Sequence, residues 1–172
     1  MSAETNTQQP QQQQPVLPEE IQRLKSRLQP LLGSEAVFEM NGKLPAFRVP
    51  SSLIKQTSQT LRDNGFDYLL FVTAVDYPQQ NKFELVYMLG SYSNQDEIAI
   101  VTDVDRTNPE IETVCDIWSG ANWHEREVFD MFGVKFKNHP YLRRILLDDT
   151  WDGYPLRKDY VDKVHDMIKR PY

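Results

Sequence analysis

The chain has 172 residues, enough for one domain with a sizeable core, and its formal net charge of −6 argues against a nucleic-acid partner, because binding phosphates needs a basic face. Its single cysteine, Cys115, excludes an internal disulfide and the thiolate sets of an iron–sulfur cluster or a structural zinc site. We expect neither a membrane span nor a signal peptide, because the longest apolar run, residues 68–75, is short and the first residues are polar.

The first half of the chain predicts a tail, two helices and two strands. Residues 1–15 are almost entirely Gln, Asn, Thr, Ser and Pro, a composition typical of a disordered tail. An apolar repeat at helical spacing over residues 21–28 predicts the first helix. Two short strands, 36–40 and 46–49, should follow on either side of an Asn-Gly turn, and then a second helix through residues 53–61.

Three strand-like runs come next. Residues 68–75 are nearly continuously apolar, which predicts a central strand buried on both faces. Residues 83–89 and 97–104 alternate apolar and polar side chains, and short polar links join all three runs, so we expect antiparallel neighbours. Pro109, at a favourable first helical position, predicts a helix over residues 110–118 with the cysteine on its core side.

A charged helix ending at Gly133 is the most informative segment. Placed at 100° per residue, Glu125 falls inside the apolar arc, whereas Arg126, Glu127 and Asp130 fall outside it. An unpaired carboxylate in an apolar face costs several kcal/mol, on the order of 3–5, so one of the following arginines should pair with Glu125.

Catalytic interpretations of this helix have less support than a buried pair of Glu125 and an arginine. His124 and Glu125 begin a zinc-hydrolase motif, but Val128 stands where the second histidine should be. The carboxylates Glu125, Glu127 and Asp130 point in different directions, so they do not predict a metal site. A hydrolase that uses His124, Glu125, Glu127 and His139 remains an alternative, although a turn histidine before proline is the simpler interpretation of His139. The chain has no glycine-rich phosphate loop.

The residues after Gly133 lack regular periodicity and predict an extended segment, 134–172, that follows an α/β domain, 16–133. We expect the domain to be a mixed sheet with packed helices. Trp151 and residues 155–160 combine aromatic and arginine side chains, the types that dominate interface energetics, so we interpret them as a docking strip. The alternative is that Trp151 and Tyr154 fold back on the domain's own core.

This combination resembles the 30 kDa subunit family of respiratory complex I, the proton-pumping NADH:quinone oxidoreductase. The family signature matches Glu125-Arg126-Glu127, Asp130, Met131-Phe132, His139, Arg143 and Ile145-Leu146, and a second family element matches residues 153–160. The specific resemblance covers residues 69–160. It implies structural or interface roles for Glu125, Arg126, Glu127, Asp130, His139, Arg143, Arg144, Trp151, Pro155, Leu156, Arg157, Lys158, Asp159 and Tyr160.

The short form is most similar to the subunit J branch of the photosynthetic complex, and its Gln-rich start and C-terminal residues 168–172 favour a cyanobacterial member. That resemblance implies a subunit without catalytic, cofactor-binding or metal-binding residues, in the hydrophilic arm on the cytoplasmic (stromal-type) side of the thylakoid membrane. Electrons from ferredoxin or a nicotinamide would pass through iron–sulfur clusters in neighbouring subunits to plastoquinone. The main partner would be the quinone-chamber subunit of the 49 kDa type. A respiratory complex that uses ubiquinone or menaquinone is one alternative, and a soluble adaptor outside any redox complex is another.

Overall fold

Three α-helices and seven strands follow one another in a computed structural model that describes residues 17–162. The predicted tail over residues 1–15 and the final residues 163–172 lie outside the described residues. The elements in chain order are α1 (Glu19–Leu32), β1 (Val37–Asn41), β2 (Leu44–Arg48), α2 (Ile54–Asp63), β3 (Tyr68–Tyr77), β4 (Lys82–Gly90), β5 (Glu97–Asp105), β6 (Glu110–Glu112), α3 (Ala121–Phe132) and β7 (Lys135–Lys137).

Five strands form one mixed sheet in the order β1-β2-β5-β4-β3. β2 runs parallel to β5, and the other neighbours are antiparallel. The predicted α/β class and the antiparallel order of β3, β4 and β5 are therefore confirmed. All three helices contribute buried residues to a core on one face of this sheet, where Phe83, Leu85 and Tyr87 of β4 point inward. A smaller apolar cluster around Met88 lies on the opposite face.

The prediction that residues 68–75 form a central strand was wrong, because β3 lies at the edge of the sheet formed by the described strands. Its pairing with β4 shifts register between Leu69 and Phe71. Leu69 packs on the main core and Leu70 on the opposite cluster, while Phe71, just past the shift, is 41% exposed. The continuous apolar run therefore belongs to an irregular edge strand and not to a strand with two buried faces.

The predicted helix over residues 110–118 was also wrong. Residues 110–112 form β6, which pairs in parallel with β7, so that Ile111 lies opposite Phe136. Both side chains are buried. The β-branched residues Ile111 and Thr113, at alternating positions, favour an extended chain, and here that preference outweighs the helix-start signal of Pro109. Cys115 consequently lies in a turn after the strand.

The predicted irregular segment begins at residue 138 rather than 134, because residues 135–137 form β7, and residues 138–162 contain only turns, bends and irregular backbone. They run back along α3 and contact the end of that helix, where the backbone N–H of Leu156 donates to the carbonyl of Met131 at 3.2 Å. We call residues 138–162 the C-terminal segment. The segment covers one side of α3, and this cover sets the environment of the charged side chains on the helix.

Candidate functional site: buried charges on the third helix

Glu125 is fully buried in the middle of α3. The backbone N–H of Val114 donates to its Oε1 atom at 2.8 Å, and its Oε2 atom lies against the hydroxyl of Thr113. Burial raises the pKa of Glu125 to about 7, although the hydrogen bonds from Thr113 and Val114 oppose the shift. The carboxyl group therefore holds a proton more readily than an exposed glutamate does.

The expected arginine partner of Glu125 is not found among residues 17–162, so that prediction was wrong. The nearest basic side chain is His139, whose Nε2 atom lies 4.0 Å from Oε2 of Glu125. Arg126 instead donates to the backbone carbonyls of Arg143 and Arg144. The turn after β6 supplies the hydrogen bonds that the sequence pattern assigned to an arginine.

The hydrogen bonds of His139 define its protonation. Its Nδ1 atom accepts the backbone N–H of Tyr141 at 3.0 Å, and its Nε2 atom lies 3.2 Å from the carbonyl oxygen of Asn122. A carbonyl oxygen only accepts, so the proton of the neutral ring is on Nε2. Burial lowers the pKa of His139, and the charge of Arg126 lowers it further. The neutral form is therefore the favoured one.

Cys115, Glu125 and His139 bring their ligand-type atoms within 4.8 Å of one another. A metal on His139 would need a nitrogen lone pair, but one nitrogen accepts a backbone N–H and the other carries the proton. The Thr113 hydroxyl also lies 3.0 Å from Sγ of Cys115, and burial raises the pKa of that thiol. The geometry favours a protonated, hydrogen-bonded cluster over a metal centre.

The residues of the alternative hydrolase site lie on two sides of α3. Glu125 and His139 are inside the fold, whereas Glu127 is exposed and lies 4.0 Å from Nδ1 of His124. A carboxylate and a histidine on opposite sides of a helix cannot act on the same bond. The structure therefore does not assemble this set of residues into one reactive site.

Asp130 is the buried carboxylate that does have an arginine partner. Arg144 donates to its Oδ1 atom at 2.7 Å, and the backbone N–H groups of Ile145, Leu146 and Leu147 donate to Oδ2 at 3.0, 2.7 and 3.1 Å. Burial alone would raise the pKa of Asp130, but these donors outweigh burial and hold the pKa below its ordinary value. Asp130 therefore fixes the backbone of the C-terminal segment.

The helical wheel placed Arg126 and Asp130 outside the apolar arc, yet they are 5% and 0% exposed. The reason is the C-terminal segment, which covers this side of α3 and supplies hydrogen bonds to both side chains. A wheel describes a single helix and contains no information about such a cover. Glu127 lies on the remaining side and is exposed, as the wheel indicates.

Arg144 and Arg157 hold the segment through further hydrogen bonds beyond Asp130. Arg144 also donates to the carbonyls of Trp151 and Gly153, at 3.3 and 3.0 Å. Arg157 donates to the carbonyl of Phe132 at 2.7 Å, and its guanidinium stacks on Tyr154. These contacts draw the middle of the segment onto the C-terminal end of α3.

Gly133 allows this close approach. It ends α3 in a left-handed conformation, with φ of 77°. A Cβ atom at this position would lie 2.5 Å from the ring of Tyr154 and 2.8 Å from the guanidinium of Arg157. Glycine is therefore required both by the backbone conformation and by the side chains that pack over it.

Asp76 and Arg106 hold the far end of the segment, and the sequence motifs do not single them out. Arg106 pairs with Asp76 at 2.7 Å and contacts the carboxylate of Asp159, while the backbone N–H of Lys158 donates to Asp76 at 2.8 Å. The signal that could have revealed them is an acidic residue within an otherwise apolar strand, because Asp76 is only 2% exposed.

The predicted docking strip is divided between inward and outward side chains. Arg157 donates to the chain's own backbone, and Tyr154, just before residues 155–160, folds back over Gly133. Trp151, Pro155 and Tyr160 are partly buried. The exposed members of the strip are Leu156, Lys158 and Asp159. An interface role for these three stays a prediction.

Comparison of the sequence with known proteins identifies relatives that belong to one kind of respiratory-chain subunit. A family model described as the respiratory-chain NADH dehydrogenase 30 kDa subunit matches residues 47–165. The chain is 40% identical over 144 residues to a subunit of NADH-quinone oxidoreductase from Roseiflexus sp., with 81% of this chain and 80% of that one covered. It is 42% identical over 118 residues to the corresponding protein from Moorella thermoacetica, with 68% and 80% covered.

Solved structures agree. A chain of the membrane-bound sulfane sulfur reductase, an archaeal respiratory membrane complex, matches with a TM-score of 0.71 and 26% identity over 90% of this chain and 94% of that one. A trypsin-resistant fragment of Nqo5 matches with a TM-score of 0.59 and 29% identity, covering 70% of this chain and 99% of the fragment.

These relatives are subunits of respiratory complexes, and this is the class of protein that the fold indicates. The chain belongs to the 30 kDa subunit family of respiratory-chain NADH dehydrogenase, which confirms the resemblance found in its sequence. None of the helices within residues 17–162 has the length and apolar character needed to cross a membrane.

Proposed function

We propose that this chain is a cofactor-free structural subunit in the hydrophilic arm of a proton-translocating quinone oxidoreductase. In the photosynthetic form of such a complex, electrons pass from ferredoxin or NAD(P)H through iron–sulfur clusters in neighbouring subunits to plastoquinone. The observation that carries the proposal is the family match over residues 47–165. The supporting geometry is that the signature side chains Glu125, Asp130 and Arg144 are engaged in holding the fold.

The role that this geometry supports is positional. The buried charges fix residues 138–162 in one irregular conformation, and that conformation presents Leu146 and Leu156, which are 61% and 54% exposed. Exposed apolar side chains on a rigid segment are well suited to an interface, because little conformational entropy is lost on docking. The partner in this proposal is the quinone-chamber subunit of the 49 kDa type, with membrane contact only through the complex.

The location and the donor are part of the same proposal. A complex of the photosynthetic type would place the chain on the cytoplasmic (stromal-type) side of the thylakoid membrane. The alternative is a respiratory complex that passes electrons from NADH to ubiquinone or menaquinone, and the relatives from Roseiflexus and Moorella favour this alternative, because both are NADH-quinone oxidoreductase subunits. In this proposal the electron donor binds to another subunit of the assembly, and its identity distinguishes the photosynthetic form of the complex from the respiratory form.

Affinity purification tests the proposal. The tagged chain should be isolated from its own cells in mild detergent, and the preparation examined for mass, iron and quinone reductase activity. We expect a large assembly that contains iron–sulfur clusters and reduces quinone; oxidation of reduced ferredoxin rather than NADH would favour the photosynthetic form. Recovery of the chain as a monomer would refute the proposal.

A metal measurement tests the enzymatic alternative. The isolated chain should hold much less than one zinc per chain after dialysis, because the nitrogens of His139 are already hydrogen-bonded. The matched control is His124→Ala, which removes the outward-facing histidine of the same helix and should leave the zinc content unchanged. Stoichiometric zinc that His139→Ala abolishes would instead support a metal-dependent enzyme.

A further inference from the structure

Two aromatic rings and one guanidinium form an outward-facing surface at the start of α3, which we call the aromatic–arginine surface: Trp123, Tyr141 and Arg143. Trp123 is 62% exposed and Tyr141 is 54% exposed. Both are large side chains that usually gain stability from burial. Their exposure on neighbouring elements marks this surface as a candidate contact region.

The surface is held rigidly from below by Arg126. The guanidinium carbon of this residue, which is 5% exposed, lies 5.0 Å from the ring centre of Trp123 and 5.6 Å from that of Tyr141. Its Nε atom donates to the carbonyl of Arg143 at 3.2 Å. One buried side chain therefore fixes both rings and the backbone that carries the third member, so that docking would need little reordering.

The charge of this surface lacks compensation within the described part of the chain. Arg143 stacks on Tyr141, with 4.2 Å between the guanidinium carbon and the ring centre. Over residues 17–162, neither Arg126 nor Arg143 forms an ion pair with a carboxylate, whereas Arg144 and Arg106 do. Arg144 thus points inward to Asp130, whereas Arg143, its neighbour in sequence, points outward.

We propose that Trp123, Tyr141 and Arg143 form a docking site for an acidic segment of a neighbouring protein subunit. An aspartate or glutamate of that segment would pair with the guanidinium of Arg143, and the apolar atoms beside it would pack on the two rings. Charge complementarity favours a carboxylate, and exposed aromatic rings favour a protein surface over a free anion. This inference rests on the proposed function, because it requires a partner subunit.

The experiment compares variants in intact cells. The chain carrying Arg143→Glu, Arg143→Lys or Trp123→Ala replaces the wild type, and quantitative mass spectrometry measures its incorporation per complex in detergent-extracted membranes. The control is Arg23→Glu, the same charge change on the exposed side of α1. Thermal unfolding of each purified variant shows whether the domain is folded.

We expect Arg143→Glu to reduce incorporation by about tenfold or more, because it replaces an attraction by a repulsion. Arg143→Lys should retain part of the binding, Trp123→Ala should reduce it, and Arg23→Glu should match the wild type. A photo-cross-linking residue at position 141 should join the chain to an acidic peptide of another subunit.

Two results would overturn the inference while leaving the proposed function intact. One is normal incorporation of folded Arg143→Glu and Trp123→Ala chains. The other is a cross-link from position 141 to a second copy of this chain. Failure of the wild-type chain itself to co-purify with a complex would instead count against the proposed function.

Discussion

Replacing Glu125 with glutamine tests whether this carboxyl group is protonated in the folded protein. Burial raises its pKa from an ordinary 4.5 to about 7. The folded state therefore binds this proton more tightly than the unfolded chain does, and the free energy of unfolding falls as the pH rises from about 4.5 to 7. At 1.4 kcal/mol per unit of pKa, the loss amounts to about 3 kcal/mol. That is a substantial share of the roughly 5–15 kcal/mol that stabilises a typical domain.

Glutamine has nearly the same shape as glutamate, but its side chain does not titrate. Its amide oxygen can accept the Val114 N–H, and its amide nitrogen can donate to the Thr113 hydroxyl. Urea unfolding of the wild type and Glu125→Gln at pH 5, 6, 7 and 8 gives the difference in free energy of unfolding, from which the titrations common to both proteins cancel. We expect this difference to move in favour of the glutamine variant by about 2–3 kcal/mol between pH 5 and 8.

Glu127→Gln is the matched control, because it removes an exposed carboxylate from the same helix. Its difference from the wild type should change little over this range. A Glu125→Gln difference that stays constant from pH 5 to 8 would refute the reasoning. It would mean that Glu125 is ionised in the folded protein, paired with a protonated His139 at 4.0 Å.

The other predictions concern the contacts that hold the C-terminal segment. Asp130→Asn should leave Arg144 without its buried partner and lower the free energy of unfolding in urea at pH 7 by about 3–5 kcal/mol. Because the hydrogen-bond donors hold the pKa of Asp130 below its ordinary value, the wild type should lose its stability advantage over the variant as the pH falls below 3.8, and a difference that stays the same there would contradict the prediction. Gly133→Ala should cost more than the roughly 1–2 kcal/mol of a left-handed alanine, whereas Gly120→Ala, with φ of −62° and no atom within 4 Å of the new Cβ, should be nearly neutral; equal costs would exclude crowding by the segment. Arg106→Ala should speed tryptic cleavage within residues 155–162 while the rest of the domain stays resistant, and unchanged cleavage would show that this arginine does not hold the segment.

The position of Glu125 was predictable from the sequence, but its partners were not. Helical spacing determines which side chains face the core, and it correctly placed this carboxylate inside the fold. The partners are Thr113 and Val114, in the loop after β6, 12 and 11 residues earlier in the chain. Helical periodicity has no information about a neighbouring turn, so the pattern could show the need for a hydrogen-bond donor without showing its source.

Residues 110–118 show the same limit for secondary structure. Pro109 is a valid helix-start signal, and it competes with the local strand preference of the β-branched residues Ile111 and Thr113. The deciding interaction is the pairing of β6 with β7, which joins Ile111 to a residue 25 positions later. Long-range pairing of this kind overrides local propensity, and a single sequence does not reveal it.

The bond between the Lys158 backbone and Asp76 joins positions 82 residues apart. Contacts across such a distance require the intervening strands to be in place, so we expect the end of the C-terminal segment to become ordered last during folding. Until then, Asp76 and Arg106 remain open to water at the end of β3. Tyr141 and Arg143 lie in the earlier part of the segment, which Arg126 and Asp130 hold through contacts only 14 to 18 residues apart, so this part does not depend on the long-range bond. A chain whose last described residues are still open would thereby already carry the surface proposed for its partner.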